Sequence, residues 1–117
     1  MGSPFAKAMR DIRKLPDTNE GIVQAVSRLH LAINKTAEQT IFKSTIDQLI
    51  IKKPAFAAIQ GDLDAFFETS RHVFFEASTQ GNSTSMAWLK SFARHGRDCE
   101  RGLTPDISKS AEYQSSK

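Results

Sequence analysis

The chain has 117 residues, 39% of them apolar and 25% charged, with only 4 prolines and 6 glycines. That length suits one domain, and that composition excludes collagen-like, mucin-like and wholly disordered chains. No apolar run approaches the ~20 residues that a membrane span needs, so integral membrane association is not expected.

Sixteen Lys and Arg against thirteen Asp and Glu leave a formal charge of +3, mild for a dedicated polyanion binder. The charge is uneven. Residues 1–16 and 81–117 are net basic, and residues 54–80 are net acidic. A single cysteine, Cys99, cannot form an internal disulfide. Together with an opening Met1–Ala6 that lacks an apolar signal core, this points to a reducing, cytoplasmic setting. The triplets starting at Asn34 and Asn82 match the glycosylation pattern but carry little weight without a secretory signal.

Apolar residues recur every three or four positions almost throughout, and alternation by two is nearly absent. The expected fold is all-α, a compact bundle of four to five helices. The first helix should cover 4–15. Ser3 can cap it, Pro4 suits its first position, and Pro16 ends it. Phe5, Met9, Ile12 and Leu15 share one face, with Lys7, Arg10, Arg13 and Lys14 turned away from it.

Asp17, Thr18 and Asn19 offer caps for a second helix from about 20, with Ile22, Val26, Leu29 and Ile33 as its stripe. Ile41, Phe42, Ile46, Leu49 and Ile50 lie on a different phase. A break near 34–36 explains this better than one long helix over 20–52, and Thr36 with Gln39 reads as a capping box. After the corner at Lys52–Pro54, a broad stripe runs from Phe56 to Ala77. Gly61 divides it into helices 55–60 and 62–78, with Asp62 as a recapping residue. Thr79–Asn82 reads as a loop. A last helix should start at Ser83 or Thr84 and end near Gly96. The domain is therefore 1–103, followed by a disordered, Ser- and Lys-rich tail over 104–117.

The most distinctive local pattern is Phe66-Phe67-Glu68, echoed eight residues later by Phe74-Phe75-Glu76. Adjacent helical residues point ~100° apart. Phe66 and Phe74 are therefore assigned to the core, and Phe67 and Phe75 to its edge. With Trp88, these edge aromatics are candidates for a partner-binding face. The cluster Lys90, Arg94, Arg97 and Arg101 steps by four, three and four. It is the candidate nucleic-acid-binding face, with Asp98 and Glu100 interleaved against it.

Three other groupings are weak. His95, Cys99 and Glu100 form a single metal-ligand pair with a neighbour, where zinc wants four ligands; the stretch reads as a solvated helix end. Asp64 and Glu68 share a face and read as exposed acids. No Gly-x-Ser-x-Gly or glycine-rich phosphate loop is present. No cofactor or catalytic residue is expected. The sequence points to a non-enzymatic interaction protein, an adaptor or regulator, acting through a protein partner and homodimerisation. The alternative is a nucleic-acid-binding bundle using the basic face of the last helix.

Overall fold

A computed structural model describes residues 3–75 and 85–106, apart from the side chains of Phe74 and Phe75. The protein is all-α. Among the described residues it has α1 (Pro4–Arg13), α2 (Asn19–Ala37), α3 (Ile46–Lys52), α4 (Gln60–Phe75) and α5 (Met86–Glu100). Two 3-10 segments, Lys43–Thr45 and Pro54–Ile59, lead into α3 and α4. No helix of the described residues is long and apolar enough to cross a membrane.

The helices pair in antiparallel fashion. Asp11 of α1 meets Arg28 of α2, and Pro4 shares a groove with Lys35. Asp62 of α4 meets His95 of α5, while Phe66 stacks on Phe92. At the third pairing, the Phe5 end of α1 meets Gly96 and Glu100 of α5, while the Met86 end lies by Gly21, next to Pro16.

Phe92 joins three helices. It stacks on Phe66 of α4 at 4.9 Å, stacks on Trp88 at 5.5 Å, and meets Phe5 of α1 edge-on at 6.1 Å. Phe5 in turn contacts Phe56 of the second 3-10 segment. Aromatic pairs in such arrangements add about 0.5–1.5 kcal/mol to the burial of their surfaces.

Most of the expected stripes are inside. Ile22, Val26, Leu29 and Ile33 of α2 are all buried, as are Ile41, Ile46 and Leu49 after it. The structure departs from the expected boundaries and stripes at several points. Ser3 occupies the position before α1, but its side chain makes no capping bond. A carboxylate from α5 takes that role.

The break expected at 34–36 falls instead at Glu38, whose backbone is left-handed (φ 60°). Thr36 starts no helix. It lies inside α2, where its hydroxyl donates to the Ala32 carbonyl at 2.8 Å. The Asn34 side chain accepts from Ile41 N at 2.9 Å, which ties down the connection. Phe42, placed in the stripe by its phase, is in fact exposed. In the N-terminal part of the Phe56 stripe, residues 54–59 wind as 3-10 rather than α.

Gly96 does not end α5. The helix stops at Gly102 (φ +74°). There Leu103 N donates to the Asp98 carbonyl at 2.9 Å, and Gly102 N to that of Cys99 at 3.0 Å. This is the double bond pattern that closes a helix on a left-handed glycine. The described chain runs on to Asp106, with Pro105 buried. The expected loop at 79–82 and the rest of the expected tail lie outside the described residues.

Gly96 has a packing role. A Cβ there would lie 2.2 Å from Cδ1 and 2.5 Å from Cε1 of Phe5. Gly61 has nothing within 4 Å of its Cβ position. We therefore expect Gly96→Ala to destabilise the protein by about 1–3 kcal/mol through overpacking. Gly61→Ala should instead stabilise it, by about 0.5–1 kcal/mol. Urea unfolding of the two variants checks both signs.

Candidate functional site: a basic face on the α1–α5 seam

The seam between α1 and α5 begins with one carboxylate. Glu100 of α5 accepts hydrogen bonds from the backbone N–H groups of Phe5 and Ala6, the latter at 3.3 Å. The first N–H groups of a helix have no partner within it, and the helix dipole favours an anion there. Burial raises the pKa of Glu100, and the two backbone bonds and the charge of Arg101 offset only part of that rise.

Around this seam the surface is basic. Every exposed side chain of α1 and α5 is Lys or Arg, apart from Ala87. On α1, Asp11 and Lys7 lie toward α2, on the groove that also holds Arg28. At 100° per residue, Arg10 and Arg13 fall on the opposite flank, toward α5. On α5 the exposed stripe contains Lys90 and Arg94, with half-buried Arg97 and, just past the helix end, exposed Arg101. Lys90 and Arg97 lie on the α1 edge of that stripe. Asp98 lies on its far edge and pairs with Arg97 at 3.3 Å. Among the described residues, Arg10, Arg13, Lys90, Arg94 and Arg101 make no ion pair. By helical phase, the four residues of the expected basic cluster fall on one stripe that continues past the end of α5, and Arg10 and Arg13 fall on the flank of α1 nearest to it.

The expected aromatic face is placed differently. Phe67 is 8% exposed and Trp88 is 4% exposed. Phe67 packs against Phe66 and His30, and Trp88 stacks on Phe92. Both therefore belong to the core of this protomer rather than to a free surface. Phe66 is fully buried, as its phase requires. Phe75 is the last residue of α4, and its side chain lies outside those described.

Two polar pairs escaped notice in the sequence. The first is Asp62 and His95, both buried, with Nδ1 of His95 2.8 Å from the Asp62 carboxylate. A carboxylate accepts, so Nδ1 carries the proton. Asp62 therefore does not serve as a recapping residue, and His95 does not sit at a solvated helix end. Each occupies a core phase, Asp62 four residues before Phe66 and His95 three after Phe92. Two polar residues on facing apolar stripes were the available signal.

The second pair is His30 and Ser70, whose Nε2 and Oγ are within hydrogen-bond distance. They line a cavity of about 390 Å³ with Ile41, Phe42 and Phe67. Burial lowers the pKa of His30. At the rim, Glu68 binds both Lys43 and Arg71 and is held down to about 2 by those bonds. Ser70 sits in the middle of α4, where backbone N–H groups are spent on the helix. Within the middle of α4 no N–H pair is therefore left to converge on an oxyanion.

Cys99 is buried, and burial pushes its thiol up to about 11, away from the reactive thiolate. With His95 on Asp62 and Glu100 on α1, the three residues weighed as metal ligands are each engaged in packing. Among the described residues, no group of three or more His, Cys, Asp or Glu is placed to hold a metal.

The fold and this face define the class: an all-α bundle with a cationic surface built on two antiparallel helices. In comparisons with known proteins, no family model, curated protein or solved structure matches the chain.

The raised pKa of Glu100 has a sign that can be measured. Its contribution to stability is fully present below the unfolded value near 4.5 and is lost as pH rises through the higher folded value. Glu100→Gln keeps an acceptor for the α1 N–H groups and removes the titration. The stability of the wild type relative to Glu100→Gln should therefore fall as pH rises from 4 toward 7. Glu100→Ala removes the cap as well as the titration, so it should cost about 0.5–2 kcal/mol more than Glu100→Gln, with the same fall in its effect as pH rises. Denaturant titrations at stepped pH check both.

Proposed function

We propose that the protein is a non-catalytic helical interaction module, an adaptor or regulator that docks on an anionic macromolecule through the α1–α5 face. One observation carries this reading: cations from two helices share one face with no ion pairs between five of them and any described carboxylate. Elsewhere the exposed charges are partly neutralised, as in Lys7–Asp11–Arg28, Lys43–Glu68–Arg71 and Lys52–Glu38. Like charges left together on a surface repel, and an anionic partner turns that repulsion into binding energy and faster encounter. The same proposal sets the protein in a reducing, cytoplasmic compartment, in keeping with one buried free thiol.

Heparin serves as a general anionic probe. The wild type should be retained on a heparin column and released by salt. Arg94→Glu with Arg101→Glu should abolish retention. The pair Lys52→Glu and Lys53→Glu changes net charge equally but lies on and just after α3, and it should be retained nearly as well. Equal loss in both double variants would reduce the effect to net charge and remove the face from the proposal.

Self-association is a second reading, favoured by two exposed side chains in the segment that links α2 to the second 3-10 turn. Phe42 is 59% exposed and Ile51 71%. Large exposed apolar groups are often covered by a partner or by another copy of the chain. Sedimentation should show a concentration-dependent dimer, weakened at least tenfold by Phe42→Ser with Ile51→Ser. A monomer at all concentrations would dismiss this reading.

A further inference from the structure

We infer that the anionic partner is double-stranded nucleic acid, gripped by its phosphate backbone without reading of the bases. This inference rests on the anionic-partner reading above. Three features of the face narrow the choice.

The cations form two rows rather than one. Lys90 to Arg101 spans eleven residues, about 16 Å at the helical rise. Arg10 and Arg13 lie on the neighbouring helix, whose axis is about 8–10 Å away in ordinary helix packing. A linear acidic peptide complements a single row. A duplex offers two phosphate strands bordering a groove about 6 or 12 Å wide, with one charge per ~1.7 Å of axis.

The face also carries no aromatic platform. Trp88, the residue that could stack on an unpaired base, lies beneath the surface against Phe92. Single strands are held by such stacking, so its absence from the described face favours a duplex.

The exposed chemistry of α1 and α5 is almost purely cationic, and five of the six cations on the face are arginines. Arginine forms paired hydrogen bonds to phosphate oxygens. The exposed side chains of these helices include no Asn or Gln, which read adenine, and the large exposed apolar group nearest them in the chain is a single one, Leu103, just past α5. Contacts of this kind position a duplex but carry little sequence information. A bilayer-binding helix would bring apolar side chains to the same face.

The test is fluorescence anisotropy with short labelled duplexes of unrelated sequence, run beside a single strand, polyglutamate and phosphatidylserine vesicles. The duplexes should bind with equal affinity, and more tightly than the single strand. The plot of log affinity against log salt should have a slope of about −4. Arg94→Ala and Arg10→Ala should each flatten that slope by about 1. Lys52→Ala, on α3, should leave it unchanged. All three positions are exposed, and an unaltered helical circular-dichroism signal confirms that each variant folds. Binding to vesicles or polyglutamate but not to duplexes would overturn this inference and leave the anionic-partner reading standing. Tighter binding to the single strand, or an equal effect of Lys52→Ala, would also overturn it. Failure to bind any of these anions, or heparin, would overturn both.

Discussion

The close approach of α1 to α5 at Gly96 underlies the rest of this structure. With no Cβ at that position, the Phe5 ring lies flush against the α5 backbone. Once there, it reaches both Phe56 and Phe92. The same approach brings the start of α1 within reach of Glu100, one turn further along α5. A half-buried carboxylate and unpaired backbone N–H groups would each be costly alone. Together they satisfy one another, and α1 is fixed in both position and direction.

That arrangement also explains the surface. An antiparallel seam, set at one end by Phe5 and Gly96 and at the other by Met86 beside Gly21, turns one flank of α1 toward α5. The basic side chains of both helices then share a face, while the acids near them are diverted. Asp11 faces α2, Asp98 lies on the far edge and pairs with Arg97, and Glu100, half-buried, is engaged at the start of α1. The core and the cationic face follow from a single packing decision.

The interior tolerates polar groups where they meet in pairs. Asp62 and His95 face each other across the α4–α5 contact, and His30 meets Ser70 across α2–α4. Nε2 of His95 is buried with no hydrogen-bond partner among the described residues. Removing either member of the Asp62–His95 pair strands the other, which costs more than the pair contributes. Such pairs discriminate between registers: sliding α4 by one residue against α5 would leave both groups unmatched.

Local physics determined much of this protein before any tertiary contact. Periodicity near 3.6 required helices. Pro4, Pro16 and Pro54 punctuated them, and Thr18 supplied a cap whose hydroxyl accepts from Gly21 N at 3.1 Å. The stripe Ile22, Val26, Leu29 and Ile33 was legible because each lies one turn from the next, and so was the basic stripe from Lys90 to Arg101. Three things were decided only by tertiary structure. A glycine in a helix reads locally as a weak point, and only the Phe5 ring makes Gly96 a contact and leaves Gly102 as the terminator. Phase shows that Phe67 and Trp88 border the core, but only neighbouring helices determine that they are covered. A carboxylate's partner can lie far along the chain. Glu100 is 95 residues from Phe5, so no local pattern linked the acid at the end of the last helix to the start of the first.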